Sequence, residues 1–183
     1  RLTDQKGVDF INKQKAFFSD HDVRLIVLGK GDHKLEQGLK KLQKILPDKV
    51  FASFDHDEEF GHLIEAGCDF FLMPSRFEPC GLNQMYSQRY GTIPMVSQVG
   101  GLADTVIDIT QHPDSGTGIV FPPNEAGLKK GLERSLKLYE DQSQFKAVQK
   151  LGMSKDFSWK VSAMDYEDLY NKVLFGESQS HNP

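Results

Sequence analysis

Apolar positions along the chain fall into two alternating modes. Runs that are apolar throughout and bounded by turn residues predict buried strands over 23–28, 50–54, 69–73, 93–97 and 118–121. Between them the spacing becomes helical. Leu35, Leu39, Leu42 and Leu46 form one stripe, Phe60, Leu63 and Ile64 another, and Phe10, Ile11, Phe17 and Phe18 recur at seven. Late helices are marked by Leu128, Leu132 and Leu136, then by Val161, Met164, Leu169, Tyr170 and Val173. Strands apolar on both faces and alternating with helices predict an α/β fold, a Rossmann-like parallel sheet flanked by helices. Pro94 falls near the start of its strand, where a missing N–H is tolerable.

The opening breaks this rhythm. Residues 1–7, Arg-Leu-Thr-Asp-Gln-Lys-Gly, are polar and turn-like, and a helix follows at once. A doubly wound unit feeds its first helix from a strand. The chain therefore reads as a piece of something larger that lacks its first strand, which would run just before Arg1. That strand belongs centrally, so a gap in the sheet or a partner chain is expected. Residues 1–175 read as one domain, and 176–183 as a polar tail that frays.

Composition narrows the classes. The 183 residues are 38% hydrophobic, and glycine brings the apolar share to about 47%, an ordinary globular value. A net charge of −4 offers no electrostatic footprint for nucleic acid. Two cysteines cannot build a disulfide scaffold. No apolar run approaches the roughly 18 residues of a membrane span, and no signal peptide opens the chain. An intracellular globular chain with no nucleic-acid or membrane partner is expected.

Ligands of open α/β sheets bind beyond the carboxyl ends of the strands. The richest such loop is 74–84, Pro-Ser-Arg-Phe-Glu-Pro-Cys-Gly-Leu-Asn-Gln, with a helix rising from about Gly81. A helix start offers unpaired N–H groups to a phosphate or a developing anion. Glu78 before it suits either of two readings: a carboxylate that holds sugar hydroxyls or stabilises positive charge, or a plain helix cap. Gly100-Gly101 allow close backbone approach to a ligand, or make an ordinary tight turn. Arg1 and Lys6 could neutralise a pyrophosphate, or be solvated surface charges. Gly29-Lys30-Gly31-Asp32 lacks the third glycine of a dinucleotide turn. His56 and His62 stand six apart among acidic residues, whereas a helical metal pair wants four, so helix-dipole partners are the simpler reading and no metal site is expected. Cys68 reads as core, and Cys80 as a solvent-reachable thiol beside Glu78.

Three stretches carry a resemblance: residues 75–82 (Ser-Arg-Phe-Glu-Pro-Cys-Gly-Leu), 89–94 (Arg-Tyr-Gly-Thr-Ile-Pro) and 100–106 (Gly-Gly-Leu-Ala-Asp-Thr-Val). With the opening seven residues they closely resemble bacterial glycogen synthases and plant starch synthases, retaining glycosyltransferases of the two-Rossmann-domain GT-B kind. The resemblance runs from Arg1 to about Phe175 and covers only the C-terminal, nucleotide-sugar-binding half. It implies glucose transfer from ADP-glucose to the non-reducing end of an α-1,4-glucan, with no obligatory metal and no cofactor. It implies that Arg1 and Lys6 bind the donor diphosphate and stabilise departing ADP, and that Glu78 is the essential carboxylate beside the transferred glucose. Phe54 is similar to the aromatic position that lies against adenine. Cys80, Gly81, Leu82 and Asn83 resemble the helix start under the phosphates, with Gly100 and Gly101 near the glucose. Asn83 stands where threonine is common, and Ser97-Gln98 where basic residues often are. The missing N-terminal domain implies a fragment inactive by itself, cytoplasmic if bacterial and plastidic if from a plant.

Two alternatives remain at this level. A UDP-sugar-dependent enzyme of the same architecture commonly carries a second glutamate eight residues after the first, where this chain has Tyr86. A non-catalytic nucleotide-binding module would be favoured by loss of Arg1, Lys6 or Glu78, and all three are present.

Overall fold

The computed structural model describes residues 1–55 and 57–176. His56 and most of the polar tail therefore lie outside the described residues. After a 3-10 turn, Asp4–Lys6, come helices α1 (Val8–Asn12) and α2 (Lys15–Asp20), then β1 (Leu25–Leu28), α3 (His33–Ile45), β2 (Val50–Ser53) and α4 (Glu58–Gly67). The second half runs β3 (Phe70–Met73), α5 (Asn83–Tyr90), β4 (Ile93–Ser97), α6 (Gly100–Thr105) and β5 (Ile119–Phe121). Helices α7 (Glu125–Glu140), α8 (Gln142–Met153) and α9 (Trp159–Phe175) complete it. All five expected strands form, each within a residue or two of its apolar run.

Every strand pairing is parallel. The strands divide into two groups, β1-β2 and β3-β4-β5. Among the described residues no strand pairing joins the two groups. Leu2 bridges in parallel to Gly31, with its N–H donating to the Lys30 carbonyl at 3.0 Å. Both groups stay joined through one core. Leu25 of β1 and Phe70 and Leu72 of β3 pack against the cluster of Phe10, Phe17, Ile93, Met95, Ile119 and Leu128. A smaller cluster of Leu2, Val8, Leu39 and Ala52 seats α3 on β1-β2. The opening segment is thus anchored, although it forms no strand element of its own.

Local chemistry explains the element boundaries. Asp32 caps α3 by accepting from the N–H groups of Lys34 and Leu35, at 2.8 and 3.2 Å. The loop with dinucleotide-like glycines therefore serves as a cap and as a bridge for Leu2. Pro94 sits one residue before β5 begins to pair with β4, so its missing N–H removes no ladder bond there. The stripe on α7 is buried as the pattern requires, with Leu128 and Leu132 inside. The stripe on α9 is not. No residue of α9 is buried, and Met164, Leu169, Tyr170 and Val173 are all exposed.

Asp108 ties β5 to α7. It accepts from Arg134 Nη2 at 2.7 Å and from the N–H groups of Val120 and Thr110 at 2.7 and 2.9 Å. Burial pushes its carboxyl up, but these hydrogen bonds prevail and hold it below the ordinary 3.8. The unfolded chain binds that proton more readily. The contribution to stability is therefore complete above pH 3.8 and fades as pH falls through the lowered folded value. Asp108→Asn is expected to cost about 1–3 kcal/mol at pH 7 and to flatten the acid limb of stability. Urea unfolding followed by circular dichroism from pH 7 to 3 reads both effects.

Candidate active site at the carboxyl end of the sheet

Beyond the end of β3 the chain turns through Pro74, Ser75 and Arg76, and the opening segment lies against that turn. The Arg76 N–H donates to the Gln5 carbonyl at 2.8 Å, and Gln5 Nε2 donates to the Phe77 carbonyl at 3.0 Å. The Arg76 side chain makes the clasp two-sided. Its guanidinium bonds both oxygens of Asp9, at 2.7 and 2.8 Å, and the Asp4 carbonyl at 2.6 Å. It also stacks 4.0 Å over the Phe10 ring. The Arg76 hydrogen bond holds the Asp9 carboxyl below its usual range. Gly7 permits the close approach. Its φ is +66°, and any Cβ there would overlap the Pro74 carbonyl.

This clasp brings together two residues 72 positions apart in sequence. The Lys6 ammonium forms an ion pair with Oε2 of Glu78. Glu78 is only 8% exposed, and the buried Ser75 hydroxyl lies 3.4 Å from the same oxygen. Lys6 and Glu78 thus meet directly. Arg1 is exposed, and among the described residues its side chain makes no hydrogen bond or ion pair with either.

The cap reading of Glu78 does not survive the geometry. α5 begins at Asn83, later than the Gly81 start that the spacing suggested. Its N-cap is Leu82, which supplies no side-chain acceptor. Glu78 spends its carboxylate on Lys6 and Ser75 instead. Among the described residues nothing accepts from the backbone N–H groups of Leu82, Asn83 and Gln84. A bare helix tip therefore follows four residues after the Glu78 of this half-buried ion pair.

The remaining expected residues fall into place unevenly. Cys80 is exposed, and Gly81 has φ +77°. On the side a Cβ would occupy, Gly100 and Gly101 approach protein, while Gly100 is otherwise exposed. A Cβ on Gly100 would overlap the Glu78 carbonyl, and one on Gly101 the Cys80 backbone. Their smallness lets α6 press on the Glu78 loop, and Gly101 N–H reaches the Glu78 carbonyl at 3.2 Å. Phe54 follows β2, half-buried against the Leu2–Leu39 cluster, with Lys40 Nζ 4.8 Å from its ring centre. Among the described residues no group of three His, Cys, Asp or Glu side chains is placed to hold a metal, and no helix is long and apolar enough to cross a membrane.

Sequence reasoning missed two supports. One is the Arg76–Asp9 clasp, which only the adjacency of Arg76 to Glu78 hinted at. The other is Gln84, fully buried, whose Nε2 donates to the Cys80 and Gly81 carbonyls at 3.1 and 3.0 Å and to Thr105 Oγ1 at 3.0 Å. It fixes the turn between Glu78 and α5 from below.

A parallel α/β sheet with a charged pair and an open helix tip beyond its carboxyl ends has its polar groups where open α/β folds bind their ligands. The chain belongs to the family Glycosyl transferases group 1, whose sequence model matches residues 1–150. It is 51% identical over 174 residues to a glycogen synthase of Opitutus terrae and 47% identical over 180 residues to glycogen synthase 1 of Methylococcus capsulatus. These matches take in 95% and 96% of this chain but 36% of each relative. The chain thus spans about a third of the length of those relatives. The catalytic domain of starch synthase IV from Arabidopsis thaliana, bound to ADP and acarbose, superposes with a TM-score of 0.84 at 33% identity, over 94% of this chain and 36% of that one. The fold corresponds to the C-terminal half of the GT-B architecture.

Replacing Gly7 with alanine is expected to destabilise the chain by about 1–3 kcal/mol, because the strained φ and the Pro74 overlap act together. Gly67→Ala, whose Cβ would meet nothing within 4 Å, is the control and is expected to be neutral or slightly stabilising. Urea midpoints of the two variants measure the difference.

Proposed function

We propose that this chain is the donor-binding half of a glycogen or starch synthase. The reaction transfers glucose from ADP-glucose to the non-reducing end of an α-1,4-glucan with retention of configuration. The observation that carries the reading is the Lys6–Glu78 ion pair, clasped against the bare tip of α5. Similarity to glycogen synthases, and to a starch synthase crystallised with ADP, supports both the chemistry and the donor.

The division of labour follows from charge. The donor diphosphate carries negative charge that grows as its bond to the anomeric carbon breaks. Arg1, Lys6 and the N–H groups of the exposed Leu82 and Asn83 meet that charge with little reorganisation. Cys80 and Gly81 shape the approach to this tip. As the anomeric carbon gains oxocarbenium character, the Glu78 carboxylate stabilises it or holds the hydroxyls of the glucose. Diphosphate binding gives Lys6 a second anion, which weakens its hold on Glu78 and frees that carboxylate for the sugar. Phe54 offers a ring face to the adenine. No metal is needed, since cations and helix N–H groups take up the charge.

A GT-B cleft lies between two domains, and acceptor contacts belong to the other one. The chain alone is therefore proposed to bind ADP without elongating glucan at a useful rate. A bacterial parent would work in the cytoplasm, consistent with the bacterial relatives.

Calorimetric titration of this chain is expected to show ADP binding, with UDP weaker. No ADP binding, or a preference for UDP, overturns the donor assignment. In the longer protein, Glu78→Gln is expected to abolish nearly all transfer while leaving ADP affinity within a few-fold, because the loss falls on the transition state. A variant that keeps most of its turnover removes Glu78 from the chemistry.

A further inference from the structure

Glu65 is used by nothing in the mechanism above, yet it is only 4% exposed, in the last turn of α4. A carboxylate so buried is costly unless its oxygens are met. Only one is. Oε1 accepts from the Asn83 side-chain Nδ2, while among the described residues Oε2 has no hydrogen-bond partner and lies 3.8 Å from His62 Nδ1. The backbone of Glu65 is fixed independently. The Thr92 hydroxyl, itself 1% exposed, donates to its carbonyl and to that of Cys68, the latter at 2.9 Å. A rigid frame thus aims one carboxylate at one amide.

That amide belongs to the first residue of α5. Asn83 is exposed, and its backbone N–H is one of the unpaired donors at the helix tip. We infer that Glu65 is a positioning residue for the donor diphosphate and acts through Asn83. The inference rests on the donor-site reading above. A side-chain amide carries two donor hydrogens and one acceptor, whereas a carboxylate only accepts. Glu65 can therefore meet Nδ2 but not Oδ1, and the amide cannot turn over. One N–H is held by Glu65, and the second is left at the mouth of the site, next to the backbone donors. A charge-assisted bond on one hydrogen also polarises the other into a stronger donor. Without the carboxylate the amide could turn and set its carbonyl oxygen against a phosphate.

This arrangement gives the Asn83 side chain a defined function that a hydroxyl in its place would not need. A hydroxyl rotates freely to suit an anion, but an amide needs its polarity set. Glu65 sets it. A merely structural tie between α4 and α5 would change folding stability without singling out the phosphates.

The test is a double-mutant cycle on this chain, with ADP binding measured by calorimetry, adenosine binding by NMR titration and melting temperature for each variant. Glu65→Ala and Asn83→Ala are each expected to weaken ADP about tenfold, the scale of one charge-assisted hydrogen bond, and to leave adenosine unchanged. The double variant is expected to be no weaker than either single one. Glu65→Gln, which keeps an acceptor facing Nδ2, is expected to return ADP affinity to within about threefold of the parent. Additive losses, equal losses for adenosine, or ADP affinity within twofold in Glu65→Ala overturn the inference while the donor site stands. Should Glu65→Ala not fold, Asn83→Ala decides, and unchanged ADP affinity there overturns it equally. Failure of the parent chain to bind ADP overturns the donor-site reading and takes this inference with it.

Discussion

Arg76 sits two residues before the carboxylate that defines the site, and its side chain points away from it. The guanidinium grips Asp9, the Asp4 carbonyl and the Phe10 ring, while its own N–H takes the Gln5 carbonyl. These contacts surround Lys6 on both sides in sequence. A lysine has four flexible side-chain bonds, and ordering it against a carboxylate costs about 2 kcal/mol of rotamer freedom. Fixing its backbone at Gln5 and Gly7 removes most of the remaining search. The ion pair with Glu78 is the consequence of that clasp, since an exposed pair between distant segments contributes little by itself.

Close backbone approach serves the same end. Gly7 lets the opening turn lie on Pro74, and Gly100 and Gly101 let α6 lie on the Glu78 loop. The loop is thus pinned from two sides by contacts that admit no side chain, and from below by buried Gln84. Glycines at such a mouth are easily read as space for a ligand. Here the side a Cβ would fill is taken by protein, and this packing holds the exposed surface beside it rigid. Preorganisation of this kind is what an electrostatic site requires, because donors that need not move stabilise developing charge most effectively.

The sequence showed the strands and the location of the site well, and its geometry less well. Runs such as 93–97 are apolar on both faces, which only a covered parallel strand explains, and β4 is buried at every position. The residues before and after a helix start are harder. Nothing local says that Asn83 begins α5, because its partner Glu65 comes from another helix 18 positions away. Nor does spacing distinguish a carboxylate that caps from one that pairs with Lys6, since that lysine lies 72 positions upstream. The periodicity of Met164, Leu169 and Val173 did indicate a helix with an apolar face. It could not say what that face meets, and among the described residues it meets solvent.

The same limit bears on chemistry. One wall of a cleft can hold a diphosphate, because cations and helix N–H groups act on it from a single side. Bond breaking at an anomeric carbon asks for more: water must be excluded, so that the field of Lys6 and Glu78 is not screened and the glucosyl group is not lost to hydrolysis as the diphosphate departs. Glu78 is buried by its own loop, but Lys6 keeps 30% of its side chain exposed and Leu82 and Phe77 stand open beside it. Exposed apolar side chains flanking a half-open charged site are what an opposing wall would cover. On the proposed reading binding and transfer therefore separate: the groups assigned to the donor act from one side, while transfer needs a second side that excludes water.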